Sequence, residues 1–122
     1  MTYVDGYVLA VPTARKEDYR KLAAEAAQVF REHGALAVVE CWGDDVPAGE
    51  AASFPIAVKA APDETVVFSW IIWMNKAARE AGNEKVMHDP RMKPPEGKRF
   101  EDIAPFDTQR MITGGFEAII EA

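Results

Sequence analysis

Two carboxylates in this sequence stand alone among apolar residues. Asp5 interrupts Tyr3-Val-Asp-Gly-Tyr-Val-Leu, and Glu40 interrupts Ala35-Leu-Ala-Val-Val-Glu-Cys-Trp. A carboxylate carried into an apolar setting loses hydration, holds its proton more tightly and becomes a proton acceptor near neutral pH. In extended chain, Tyr7 and Trp42 lie on the same side as the acid two residues before each. The expectation is one small pocket in which Asp5 or Glu40 acts as base, Tyr7 orients a substrate and Trp42 supplies an apolar wall. The plainer alternative is that the acids hydrogen-bond to backbone or to a partner subunit's arginine. The tryptophans, Trp70 among them, either stack on an aromatic ligand or fill cores and interfaces, as large rings more often do.

The remaining chemistry-bearing residues are few. His33 and His88 each close a helical stretch, where the helix dipole already favours an imidazolium. His33 is kept as a catalytic candidate. No His-x-x-x-His or HEXXH spacing exists, and Cys41 is the single cysteine, so neither a metal site nor an internal disulfide is expected. Cys41 reads as buried filler on the face opposite Glu40, toward the helices. Arg91, Lys93, Lys98 and Arg99 make a basic cluster in one long loop, either an anion site or a solvated run. No phosphate-binding glycine loop, dinucleotide fingerprint or nucleophile elbow is present, so no cofactor is expected.

The elements that must position these residues follow from periodicity. Tyr3 to Val11 is a strand closed by Pro12, and Ala14 to His33 is an amphipathic helix with Thr13 as N-cap and Gly34 as its left-handed end. Ala35 to Gly43 is a second strand, and Glu64 to Met74 a third, apolar enough to be central. Asn75 caps a helix running to about His88, which Gly82 weakens, and Arg110 to Glu121 is the last strand with a bulge or close approach at Gly114-Gly115. Phe54, Ile56 and Val58 alternate as a short extra edge strand would. The order, strand-helix-strand-strand-helix-strand, is the split βαβ pattern of an α+β, ferredoxin-like fold with a four-stranded antiparallel sheet, in one domain over residues 1–122. Asp44 to Asp63 and Asp89 to Gln109 are long connections of the sort that form lids, pocket walls or subunit arms.

Such a sheet needs one face for its helices, and the other face here is not polar. Val4, Gly6, Val8 and Ala10 suit close helix packing, which leaves Tyr3, Asp5, Tyr7, Leu9 and Val11 to be covered by something else. The expectation is a homodimer in which two sheets meet. With 14 Lys and Arg against 20 Asp and Glu, the net charge of -6 disfavours nucleic acid and anionic membrane surfaces. No signal-like leader and no apolar run near ~20 residues are present, so a cytoplasmic location and no membrane association are expected.

Several segments together also carry a resemblance. They are Tyr3-Val-Asp-Gly-Tyr-Val-Leu-Ala-Val-Pro12, Phe30-Arg-Glu-His-Gly-Ala35 with Val39-Glu-Cys-Trp-Gly-Asp-Asp-Val46, Phe54-Pro-Ile-Ala-Val-Lys59, Asp63-Glu-Thr-Val-Val-Phe-Ser-Trp70, and Pro105-Phe-Asp with Arg110-Met and Gly114-Gly-Phe116. They resemble a family of small bacterial proteins known only as a domain of unknown function, itself similar to the dimeric α/β-barrel superfamily. The resemblance implies a homodimer, a barrel pocket, and binding or cofactor-independent, monooxygenase- or isomerase-like transformation of a small organic molecule. A non-catalytic ligand-binding or structural dimer is the alternative. Arg110 lies in a shared segment and joins Tyr7, Trp42 and Trp70 as ligand-binding candidates, although Gln109 stands where a basic residue is expected before it.

Overall fold

A computed structural model describes all residues from Met1 to Ala122. Strand β1 (Tyr3–Pro12) leads through a 3-10 turn into helix α1 (Lys16–Glu32), then β2 (Ala37–Trp42), a one-turn α2 (Phe54–Ala57), β3 (Glu64–Trp73), α3 (Lys76–His88), a one-turn α4 (Phe100–Ile103) and β4 (Ile112–Glu117). The four strands form one antiparallel sheet in the order β2-β3-β1-β4. The expected α+β, ferredoxin-like pattern is present, with β1 and β3 at the centre. No helix is long and apolar enough to cross a membrane.

Local chemistry explains where the elements stop and where they depart from expectation. Gly34 ends α1 at φ +110, and Asn75 caps α3 by accepting the Ala78 N–H at 2.8 Å. Thr13 does not cap α1. Its hydroxyl is engaged with Thr65 Oγ1 at 2.6 Å, and the helix begins at Lys16 with Glu17 and Asp18 in its first turn to offset the dipole. The edge strand expected at Phe54–Val58 is instead α2. Pro55 withdraws an N–H from any ladder, and Ser53 Oγ accepts the Ile56 N–H at 3.1 Å, nucleating a helical turn. β4 is shorter than expected and pairs with β1 in unbroken register from Tyr3↔Glu117 to Val8↔Ile112, so no bulge occurs. Its glycines serve close approach: the Tyr3 ring lies over Gly115 and the Phe116 ring over Gly114.

The faces of the sheet are the reverse of those expected. Asp5 is 2% exposed and Trp73 0%, and both point toward α3. Asp5 Oδ2 accepts the Trp73 indole N–H at 3.0 Å, and Arg79 of α3 places Nη2 2.9 Å from Asp5 Oδ1. Strand parity then sends Tyr3, Tyr7, Leu9 and Val11 to the helix side as well. Leu9, Val11, Tyr19 and Val67 form one core cluster there, and Ala35, Ile71 and Trp73 another. Val4, Gly6 and Val8 face outward with Phe68, Trp70, Ile112 and Phe116. Cys41, opposite Phe68 in the register, is on that outward side rather than under the helices. Side-chain size misled the sequence reading: Gly6 is small because the Phe116 ring approaches it, not because a helix does.

Gly82 has a packing role beyond its low helix propensity. A Cβ there would lie 2.2 and 2.5 Å from Trp73 ring carbons and 2.8 Å from the His33 carbonyl oxygen, so only glycine lets α3 sit on Trp73. Gly82→Ala is expected to destabilise the fold by about 3 kcal/mol, despite gaining about 1 kcal/mol of helix propensity, as read from chemical denaturation. Asp5→Ala leaves the buried Trp73 N–H without an acceptor and takes one of two carboxylate partners from the half-buried Arg79, and a loss of about 3 kcal/mol is expected in the same measurement.

Candidate functional site

The residues from Asp89 to Met111 form a strap that runs back across the helix side of the sheet. Between the strap, α1 and the sheet lies a cleft of ≈ 290 Å³. Its walls are apolar: Leu9 and Ile71 from the sheet, Phe30 from α1, and Phe100, Ile103 and Phe106 from the strap. Phe106 packs edge-on against both Tyr19 and Phe100, with ring centres 5.9 and 6.1 Å away.

The floor is polar by register. Glu40 of β2 is opposite Ser69 of β3, Ser69 is opposite Tyr7 of β1, and Tyr7 is opposite Thr113 of β4. One row of oxygen-bearing side chains therefore crosses all four strands on the helix side. Tyr19, one turn into α1, reaches down and donates its hydroxyl to Glu40 Oε1 at 2.6 Å. β2 is an edge strand and Glu40 is exposed along it, with its carboxylate part-buried where Tyr19 bonds it. Burial pushes the Glu40 carboxyl above the usual range, and hydrogen bonds from Tyr19 and Ser69 only partly oppose this. Burial likewise pushes the Tyr7 hydroxyl up to about 12, with the nearby Asp5 charge adding to it. Tyr19 is raised further by burial and by the Glu40 charge. Both phenols remain neutral donors, and Glu40 is the member of the row that gains and loses a proton most readily.

The sequence candidates separate into two groups. Glu40 and Tyr7 come together in the cleft. Trp42 lies beyond the Tyr19–Glu40 pair in a second cavity of ≈ 270 Å³ under α1, with Lys16 Nζ 5.3 Å above its ring. Asp5 is committed to Trp73 and Arg79 and does not line the cleft. His33 is also outside it: its Nε2 is 2.9 Å from Asp89 Oδ2, and Asp89 is held by Arg91, which in turn reaches Glu32 at 2.7 Å. That network pins the start of the strap to the end of α1. Hydrogen bonds from Arg91, then His33, hold the Asp89 carboxyl well below the usual range. Arg110 pins the other end, with Nη1 and Nη2 each 2.7 Å from Glu64, Nη1 also donating to the Lys59 carbonyl and Nε to Asp107. Every one of these donors is used within the chain. Trp70 faces outward beside Phe68, 5.4 Å between ring centres.

Sequence reasoning missed Tyr19, Ser69 and the strap aromatics. Tyr19 was legible only as an apolar helix position, yet a tyrosine on the buried stripe of a helix must find a partner for its hydroxyl, and that requirement was the available signal. Ser69, a lone hydroxyl within Val66-Val-Phe-Ser-Trp-Ile-Ile, carried the same kind of signal. Nothing local marked Phe100, Ile103 and Phe106 as a wall, because their partners lie far away in sequence.

Comparison with known proteins places the chain firmly. The "Uncharacterized protein YbaA" of Escherichia coli K12 is 54% identical over 121 residues, covering 99% of both chains. The protein of the same description from Shigella flexneri matches to the same extent. The model of a family described as "Protein of unknown function (DUF1428)" matches residues 2–108, which include the whole cleft except Met111, and the chain belongs to that family.

Proposed function

We propose that the protein is a homodimer that binds a small, mostly apolar organic molecule in the cleft, with Glu40 as acceptor for the molecule's proton-donating end. The observation that carries this reading is a carboxylate hydrogen-bonded by Tyr19 at the floor of an apolar cavity, where burial works to raise its proton affinity. A cavity of about 150 Å³ suffices for benzene, so ≈ 290 Å³ suits one substituted ring. Tyr7, a neutral donor two strands away in the same row, is placed to hydrogen-bond an oxygen of that molecule. Taking a proton at Glu40 and returning it elsewhere on the same molecule is the isomerase-like chemistry this row supplies, and it consumes no co-reactant. A cytoplasmic setting accords with the single cysteine.

The outward face of the sheet supports the dimer. The chain exposes 8151 Å², where a compact monomer of this length would show roughly 6,500 Å². The excess exceeds the roughly 800 Å² that one partner contributes to a standard interface. Phe116 is 62% exposed, Ile112 45% and Phe68 43%, contiguous on one sheet face whose lining is almost wholly apolar. A second copy presenting the same patch covers it by two-fold symmetry. The same surface favours the alternative of a non-catalytic dimer module, in which the cleft binds a ligand without transforming it.

Sedimentation at micromolar concentration is expected to give a dimer for the native chain and a monomer for Phe116→Asp, which changes an exposed side chain and leaves the fold intact. A native chain that sediments as a monomer overturns the dimer. For the cleft, the sign of the Glu40 effect is fixed by its raised carboxyl: any stability it contributes is present at acid pH and lost as pH rises through its folded value. Glu40→Gln is therefore expected to raise the melting temperature by a few degrees at pH 8 and not at pH 4, the pattern of a group kept for function at the expense of stability. A lower melting temperature for the variant at pH 8 contradicts the role.

A further inference from the structure

We infer that the molecule bound in the cleft carries an ammonium group that pairs with Glu40, on an apolar body of about one ring. The inference rests on the cleft being a ligand site and goes on to fix the charge of the ligand. Glu40 accepts a hydrogen bond from the Tyr19 hydroxyl at 2.6 Å and lies opposite Ser69 in the register, and both of these neighbours are neutral. No lysine, arginine or histidine forms an ion pair with it. An ionised carboxylate offers about four acceptor positions, so the Tyr19 hydroxyl leaves capacity for a ligand. Glu40 is exposed along the edge strand, but its carboxylate is part-buried where Tyr19 bonds it at the cleft wall and has no counter-charge there, and a cation entering the cleft supplies it.

The charged groups around Glu40 favour a cation over an anion. From α1 the cleft receives Tyr19 and Glu25, from β1 Tyr7, and from the strap Arg91 and Lys93. Arg91 is neutralised by Asp89 and Glu32, each at 2.7 Å. Lys93 is exposed at the rim and is screened by water. On the far side of Glu40, Lys16 sits over Trp42 and Arg20 pairs with Glu17 at 3.6 Å. The cleft is thus lined by two carboxylates without an ion pair, Glu40 and Glu25, against one unpaired cation, Lys93, all three reached by water. The rings of Tyr7, Tyr19, Phe30 and Phe106 line the same space, and aromatic rings attract an ammonium as well as an apolar body. A carboxylate ligand meets Glu40 as a like charge, and a neutral alcohol offers one more hydroxyl where hydroxyls are already present.

Three probes of one shape test this: benzylamine, benzyl alcohol and benzoate, titrated calorimetrically into the native protein at pH 7.5, with amide NMR shifts at Tyr19 and Ser69 to locate binding. Benzylamine is expected to bind about tenfold more tightly than benzyl alcohol, the difference between a charge-assisted and a neutral hydrogen bond, and benzoate is expected to bind least. Glu40→Gln should bring benzylamine down to the level of benzyl alcohol. Benzylamine affinity should also fall as pH is lowered through the titration of Glu40, since a proton on Glu40 competes with the ligand. If benzyl alcohol equals or exceeds benzylamine while still shifting the cleft amides, the ammonium assignment is wrong and the cleft remains a ligand site. If benzylamine keeps its advantage in Glu40→Gln, the ammonium pairs elsewhere and the assignment is equally wrong. If none of the probes moves the cleft amides at millimolar concentration, both the assignment and the ligand site fall.

Discussion

The buried contact of Asp5 with Arg79 and Trp73 decides which way the sheet faces. A carboxylate that is 2% exposed cannot be left unpaired, and the only groups that satisfy it come from α3 and from the neighbouring strand beneath α3. With Asp5 fixed on the helix side, strand alternation fixes Tyr7, Leu9 and Val11 there too. The β1–β3 register then brings Ser69 to the same side, and the β3–β2 register brings Glu40. The position of the site thus descends from an ion pair that takes no part in it. A slip of one residue would turn the cleft floor outward and bury Gly6 and Val8 instead.

Topology was legible in the sequence because it depends on local signals. The apolar stripe of α1, Gly34, the Asn75 cap and the apolar run of β3 each sit where short-range physics requires. The orientation of the sheet was not legible, because it depends on one long-range pairing, Asp5 with Arg79, separated by 74 residues. Reading side-chain size alone gave the wrong face: Gly6 is small to accommodate Phe116, and Tyr3, which looked too large for the helix side, stacks under the Arg79 guanidinium at 5.3 Å. Glu40 was legible as a site residue for the reason Asp5 also was, a charge inside an apolar segment. The two differ in burial, Asp5 being on a central strand and Glu40 on an exposed edge strand, and in whether a cation lies within reach, and sequence spacing carries no information on either.

The strap explains why charged candidates read from the sequence turn out to be fastenings. Arg110 and the His33–Asp89–Arg91 network hold its two ends. Between them, the backbone of residues 93–104 makes hydrogen bonds only within the strap, such as Lys98 N–H to the Pro95 carbonyl and Ala104 N–H to the Phe100 carbonyl. What seats this middle portion on the body is apolar contact through Phe100, Ile103 and Phe106. The outer wall of the cleft is therefore the part of the site with the least directional bonding to the rest of the chain, while its floor is fixed by the sheet ladder.

Two features of this chain run against the local rules that the rest of it obeys. One is the outward sheet face, apolar where a lone sheet face meets water. The other is Glu40, a carboxylate that lines an apolar cleft and is bonded there by a tyrosine hydroxyl and no cation. Elsewhere the chain satisfies its polar groups completely: no buried side-chain nitrogen or oxygen lacks a partner. A sequence that meets every other requirement and departs from them at two places has a reason at each, since such departures cost stability and persist where function compensates. On the function proposed above, a second copy of the chain would relieve the first departure and a ligand the second. They lie on opposite faces of one sheet, so covering the outward face leaves the cleft open.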